Sequence, residues 1–327
     1  MRVAVTGGTG CLGSPLLDRL CDLGWDVNLL VLPDDRHLIK SRRIRPIRGD
    51  MTSGRSLHEL THGCDLVFHL AGKVHSLPRT EQEIQEFYTI NCGGTRSLLE
   101  KSRLNGVRRV IFYSTVGVYG IDENFHADET TRCRPQSVYA KTKYEAEQLV
   151  MSSSENGGPE GVVLRFPVAY GPYDRGNMAS LIRAIHGRRF VVLGDGECRR
   201  SMVSSRNAAE GAVRAALEEK AANEIFCITD GYDCTMNEVI EAACRALGLR
   251  KSSVHVPLGM AVALGKIGDV VERALKRNFP LNSNTVRKLT SSLTFSDGKA
   301  RRVLGYKPVQ SFSEGIAEEV EWILGCK

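Results

Sequence analysis

The sequence predicts an α/β protein, a doubly wound parallel sheet with a smaller C-terminal lobe, and three observations predict it. The chain opens on a β-branched run that enters a glycine-spaced turn, Val3-Ala4-Val5-Thr6-Gly7-Gly8-Thr9-Gly10-Cys11-Leu12-Gly13. Strand and helix signals then alternate through the first half with short connections, as parallel βαβ units require. At 327 residues the chain is long enough to bury a large core, in one extended domain or in two lobes.

Each element follows in order. The first strand lacks polar alternation, as a strand covered on both faces does. In the turn after it, Gly7 permits the tight bend, Gly10 lets a diphosphate approach the backbone, and Gly13 lets a helix over residues 11–23 pack close to the sheet. A dinucleotide's phosphates would meet the unpaired N–H groups of that helix start. Residues 26–32, 44–47 and 65–70 read as further strands, the last bounded by Gly63 and Gly72. Residues 81–105 have helical periodicity, with a break near Gly93-Gly94, and lead into a strand at 109–113. A helix at 137–152 and a strand at 161–166 complete the expected dinucleotide-binding (Rossmann) domain, residues 1–166. Residues 167–206 are rich in Gly, Pro and Arg and read as loops and short elements around a cleft. A helix at 207–220 and a strand at 224–229 return to the main sheet. Helices near 236–247, 258–275 and 312–324 belong to the substrate lobe, which takes most of 167–327.

Composition narrows the partners. The net charge of +6 arises from 44 basic and 38 acidic residues spread along the chain, with aromatics at only 6%. That fits an anionic small ligand and not nucleic acid, which is met by a concentrated basic face with interleaved aromatics. The ten cysteines include no C-x-x-C pair, and some sit in apolar runs such as Ile225-Phe226-Cys227-Ile228. Reduced, buried thiols and no metal site are expected. A strand beginning almost at Met1 leaves no signal peptide to read, and the most apolar run, 257–265, is broken by Lys266 and Asp269. It falls short of the ~20 residues of a membrane span. A soluble, cytoplasmic protein is the expectation.

Tyr139 and Lys143 stand four apart and share one helix face. Bringing a phenol of pKa ~10 to about 7 takes about 4 kcal/mol, which a lysine ammonium at ~4 Å supplies at an effective dielectric near 20. The spacing alone equally suits a surface tyrosine beside a surface lysine. Position adds weight, because the helix follows the strand that ends in Tyr113-Ser114-Thr115, and ligands of open α/β sheets bind at the carboxyl ends of strands. The hydroxyls of Ser114 and Thr115 would point to that crevice. Asp34 or Asp35, just beyond the second strand, would hold an adenine ribose, whereas Arg36 or Arg42 would suit a 2′-phosphate. The reading leans to NAD, with NADP as the alternative.

These blocks resemble the extended short-chain dehydrogenases/reductases of the NAD-dependent epimerase/dehydratase family, over nearly the full chain. The start Thr6-Gly7-Gly8-Thr9-Gly10-Cys11-Leu12-Gly13 is similar to its glycine motif. Gly49-Asp50-Met51-Thr52 resembles its adenine-contacting turn, and His69-Leu70-Ala71-Gly72 the segment under the cofactor. Asn91-Cys92-Gly93-Gly94-Thr95, Leu164-Arg165-Phe166-Pro167 with Ala169-Tyr170-Gly171-Pro172, Gly194-Asp195-Gly196-Glu197, and Lys299-Ala300 with Leu304-Gly305-Tyr306-Lys307-Pro308 resemble its later blocks.

The resemblance implies Tyr139 as acid/base, Lys143 as its partner and a ligand of the nicotinamide ribose, and Thr115 as hydrogen-bond donor to the reacting oxygen, with Ser114 the lesser candidate. It implies cofactor contacts at Gly7, Gly10, Cys11, Leu12, Gly13, Asp34, Asp50, Met51, Leu70, Ala71, Gly72, Asn91 and Pro167. Arg200 falls where sugar-nucleotide members place an arginine against the diphosphate, with Arg199 beside it as the other choice. A dehydratase would carry an acid/base pair next to Thr115, where this chain has Val116-Gly117. The second diphosphate arginine of those members is absent from Leu289-Thr290-Ser291-Ser292-Leu293-Thr294-Phe295-Ser296, a tract similar to the hydroxysteroid-dehydrogenase-like branch.

The expected function is therefore an NAD-dependent epimerase of a nucleotide sugar that acts by transient oxidation. An oxidoreductase of a sterol-like or other apolar alcohol is the alternative, and a non-catalytic dinucleotide sensor a third. The resemblance also implies a homodimer through helices 81–105 and 137–152, although their apolar stripes are met equally by packing within one chain.

Overall fold

The structure, a computed structural model, describes residues 1–33, 41–74, 78–120, 125–250, 255–275 and 282–325. Strands β1 (Arg2–Thr6), β2 (Asp26–Val31), β3 (Ile44–Arg48), β4 (Leu66–His69) and β5 (Arg109–Thr115) come first, followed by the short β6 (Phe125–Ala127), then β7 (Glu160–Phe166) and β8 (Val168–Tyr170). Beyond them lie β9 (Val192–Leu193), β10 (Arg199–Ser204), β11 (Glu224–Cys227), β12 (Asp233–Thr235), β13 (His255–Val256) and β14 (Leu293–Phe295). The helices are α1 (Gly13–Asp22), α2 (Gly54–Thr61), α3 (Glu81–Phe87), α4 (Gly94–Leu104), α5 (Val138–Met151) and α6 (Asn177–His186). They continue with α7 (Ser205–Leu217), α8 (Met236–Ala246), α9 (Leu258–Leu275), α10 (Ser283–Thr290), α11 (Gly298–Leu304) and α12 (Phe312–Gly325).

Seven strands form one parallel sheet in the order β11-β7-β5-β4-β1-β2-β3. Its centre is apolar on both faces, so Val3, Ala4 and Val5 of β1 are all fully buried. One face packs under α1, α7 and α11, and the other under α2, α4 and α5. Alanines 208, 209, 212, 215 and 216 let α7 lie close to that sheet and to α1, where Arg19 pairs with Glu210 at 3.1 Å. Side chains hold the helix starts: Ser53 caps α2, Ser137 caps α5, and Thr80 with Glu83 closes a capping box on α3. A second sheet, β12-β10-β14-β6 with β8 beside β10, sits over its own core of α6, α8 and α12.

Three local differences from the sequence reading have physical causes. Residues 167–206 hold a ten-residue helix, α6, whose buried face is Met178, Ala179, Ile182 and Ile185. Gly176 precedes it and gives no side-chain cap, while Asp174 accepts from Ala179 N–H at 2.9 Å. The break in 81–105 is a wide π-type turn over Tyr88–Gly93, not a glycine kink, and α4 starts on a helical Gly94. That glycine is needed for approach, since a Cβ there would stand 2.9 Å from Met51 Cβ. The two sheets also exchange segments: 125–127 lies in the smaller one, whereas Ala300, Leu304 and Tyr306 pack on the larger.

Candidate active site

The glycine turn shows why each glycine stands where it does. Gly7 has φ +73°, and a Cβ on it would stand 2.6 Å from Ala71 N. A Cβ on Gly13 would stand 2.4 Å from Gly7 O. Both are required by the protein's own packing. Gly10 is different: it is exposed, and the nearest protein atom to a Cβ there is Gly7 O at 4.0 Å. The α1 start beside it has Leu12 as its N-cap, no side-chain cap and no carboxylate in its first turn. Cys11 turns its thiol to Gly171 O at 3.7 Å, and burial pushes its pKa far up.

Under this turn, residues 70–72 are held by a buried chain of hydrogen bonds. Ala71 N–H donates to Thr6 Oγ1 at 3.1 Å, and Thr6 lies 2.8 Å from His69 Nδ1. His69 Nε2 is 2.9 Å from Thr95 Oγ1, whose single hydrogen goes to Asn91 O at 2.5 Å. The network therefore assigns the Nε2–H tautomer. Burial first, and then Lys143, push the His69 pKa down to about 3, so the ring is neutral. Asn91 accepts from Lys73 N–H at 2.7 Å and donates to Thr142 Oγ1 at 3.0 Å, so its amide is taken up in bracing this segment. Asp50 accepts from Thr52 N–H and hydroxyl at 2.7 and 2.6 Å, which hold its pKa down, and Met51 is buried against Gly94. Leu70 is half-buried above β4, and Pro167 is buried just past β7. Asp34 lies outside the described residues.

Lys143 reaches the same segment from α5. Its Nζ stands 3.9 Å above the Phe112 ring, and a Cβ on Gly72 would be 4.0 Å from it. The side chain is almost wholly buried. At Gly117, Thr115 Oγ1 and Ala140 Cβ come within 3.3 and 3.8 Å of a single added Cβ, so the end of β5 meets the first turn of α5, where Tyr139 is half-buried. Thr115 Oγ1 accepts from Gly117 N–H at 3.1 Å, which fixes the rotamer and leaves its own hydrogen to donate.

Two expectations change here. Successive strand residues face opposite sides: Thr115 is half-buried and turns its hydroxyl to Gly117 N–H, while Ser114 is buried and donates to Glu147 at 2.5 Å. Ser114 is thus committed to the protein and is withdrawn from the substrate contacts. The sequence argument also has a lysine ammonium lowering the tyrosine's pKa. Burial acts on both groups: it pushes Tyr139 up to about 12 and Lys143 down to about 7, against the opposite pull of Glu147. Without further positive charge the phenol keeps its proton.

On the smaller sheet, Arg199 is exposed and donates to Asp233 O at 3.2 Å. Arg200 turns inward, and burial lowers its pKa. One Nη donates to Ser291 O at 3.4 Å, its Nε is buried with no hydrogen-bond partner, and among the described residues no carboxylate pairs with it.

Residues 3–229 match the NAD dependent epimerase/dehydratase family. The chain belongs to that family. One relative, from Stigmatella aurantiaca, is a 4-hydroxy-2-methyl-3-oxo-4-farnesyl-3,4-dihydroquinoline-1-oxide ketoreductase, 29% identical over 97% of this chain and 95% of its own. Another, from Escherichia coli O157:H7, is an N-acetyl-alpha-D-glucosaminyl-diphospho-ditrans,octacis-undecaprenol 4-epimerase, 26% identical over 98% of this chain and 95% of its own. Among solved structures, MoeE5 in complex with UDP-glucuronic acid and NAD is 26% identical, covers 100% of both chains and has a TM-score of 0.77.

The protein is thus an NAD-dependent enzyme of the extended short-chain dehydrogenase/reductase type. Its residues fit the cofactor: open space at Gly10, an α1 start with no side-chain cap and no carboxylate in its first turn, and a buried lysine at Gly72. Sequence reasoning missed the charged network behind the site. Glu147 is fully buried and takes Arg165 in a two-pronged pair, 2.7 Å from Nη2 and 3.1 Å from Nε, along with Ser114. Arg165 also donates to Tyr119 Oη at 3.0 Å. The one available signal was a charged pair inside apolar runs, Glu147 in a helix and Arg165 in a strand.

Proposed function

We propose that this enzyme epimerises a nucleotide sugar at a carbinol carbon by transient oxidation. The observation that carries the reading is Arg200, an inward guanidinium whose buried Nε lacks a partner. A planar cation met only by the Ser291 carbonyl and the Cys198 thiol, with no carboxylate among the described residues, suits a substrate diphosphate. Bound NAD supplies the acceptor and later donor of a hydride and, when oxidised, a positive charge. Tyr139 then takes the carbinol proton and later returns it, with Lys143 beside it on α5. Thr115 donates to the reacting oxygen as it gains negative charge. Arg200 anchors the remote diphosphate, so that the sugar is free to turn between the two transfers. In this reading residues 1–166 with 207–229 bind the dinucleotide, 167–327 mainly carry the substrate, and a homodimer forms through 81–105 and 137–152.

The farnesyl-substrate relative and the tract 289–296, which has no second diphosphate arginine, favour a second reading, an oxidoreductase of an apolar alcohol or ketone. One experiment separates the two. With NAD and UDP-sugars, the epimerase forms product with no net absorbance change at 340 nm, whereas the oxidoreductase accumulates NADH on its alcohol. Tyr139→Phe is expected to lower kcat about 10³-fold with NAD affinity unchanged. Net NADH formation, or full activity in that variant, would overturn the proposal.

A further inference from the structure

Helix α9 is built inside out. Among its described side chains the buried positions are the small residues Ala261, Gly265 and Gly268, while Leu258, Met260, Val262, Leu264, Ile267 and Val270 stand in water. Ile267 and Val270 are 59% and 63% exposed. The small stripe lets α10 come close, since a Cβ on Gly265 would already stand 3.1 Å from Val286 and 3.2 Å from Ser283. Both carboxylates of α9 also turn to that neighbour. Asp269 accepts from Ser283 N–H, and Glu272 from the Asn282 amide, each at 3.0 Å. Among the described side chains, the outward face is left with one charge, the exposed ammonium of Lys266.

We propose that α9 seats this protein on an anionic lipid surface. An interfacial helix needs an apolar face to sink to the headgroup boundary and cations to meet anionic headgroups. Here the carboxylates that would oppose the approach are spent on capping α10, and the chain's net charge of +6 acts in the same direction. The helix lies on the surface, because no helix among the described residues is long and apolar enough to cross a membrane. A second copy is the rival cover. The midpoint of α9 falls between residues 266 and 267, so antiparallel pairing about it would bring two Lys266 ammonium groups together with no carboxylate on that face to answer them.

The seat adjoins the lobe that carries Arg200. Helix α10, on which α9 packs, is followed directly by Ser291, whose carbonyl accepts from Arg200, and β13 just before α9 pairs with β9 ahead of the loop 194–197. The proposal rests on α9 and stands whether or not the substrate is a nucleotide sugar.

Flotation of the full chain with phosphatidylcholine vesicles, with and without phosphatidylglycerol, tests it. The wild type is expected to float with the mixed vesicles and to be released by high salt. The double variant Ile267→Glu/Val270→Glu should partition at least about tenfold less, and Lys266→Glu about fivefold less on the mixed vesicles only. NAD affinity and melting temperature should match the wild type, since these side chains stand in water. Absence of flotation, equal flotation of the double variant, or a lipid-free dimer that the double variant splits would each overturn the proposal.

Discussion

The carboxyl ends of the large sheet's inner strands and the lobe beside Arg200 satisfy their groups in opposite ways. At those strand ends the polar groups answer one another: His69 joins Thr6 to Thr95, Asn91 braces Lys73, and Arg165 meets Glu147. In the lobe, Arg200 Nε has no partner, and α9 turns its large apolar residues out. A buried polar group without a partner, or an apolar face left in water, costs the folded chain stability. The contrast teaches where the chain completes itself and where something bound completes it.

The sharpest way to break this contrast is Glu147→Gln. The substitution keeps the shape but leaves Arg165, nearly fully buried, without its carboxylate. Losing one partner of a buried pair costs about 3–5 kcal/mol. Urea unfolding should show a loss of that size, with NAD affinity falling only in step with the folded fraction. An unchanged midpoint would mean that these strand ends do not depend on their own network.

Arg200→Leu probes the other side and should act in the reverse manner. The guanidinium makes one long hydrogen bond to a carbonyl, at 3.4 Å, and faces the Cys198 thiol, and leucine removes the Nε that has no partner. Stability is expected to hold or rise, while KM for a diphosphate-linked sugar rises about 10–100-fold, the worth of a charge-assisted contact of about 1.5–3 kcal/mol. Steady-state kinetics beside a melting curve checks both halves. A variant that unfolds easily yet binds normally would place Arg200 among the structural groups.

The contrast also bears on what the sequence could show. Alternating strand and helix signals, the Gly7–Gly10–Gly13 spacing and the four-residue step from Tyr139 to Lys143 are local, and local patterns survive in one dimension. The joining of Ser114, Glu147, Arg165 and Tyr119 brings a helix against two strands and the turn after one of them, so no window of sequence holds it. The electrostatics misled for a related reason. A lysine lowers a tyrosine's pKa only in so far as it is charged, and burial, set by tertiary packing, brings the Lys143 pKa down to about 7 while it pushes that of Tyr139 up to about 12. On α9 the periodicity correctly gave a helix over 258–275, but not that its small face would be the inward one, which depends on α10.

The smallest expected effect is the most selective. Gly7 and Gly13 are fixed by neighbouring backbone, so replacing either tests folding and binding together. Gly10 separates them, because an added Cβ would meet no protein atom closer than 4.0 Å. Gly10→Ala should therefore leave unfolding within about 0.5 kcal/mol of the wild type. The same methyl would stand where a diphosphate comes nearest the backbone, and NAD affinity should fall about tenfold, or about 1.4 kcal/mol. Calorimetric titration with NAD beside a urea curve reads the two effects. Unchanged affinity would show that the open space at Gly10 is not where the pyrophosphate lies, and the cofactor would have to cross the carboxyl ends of the strands along another line.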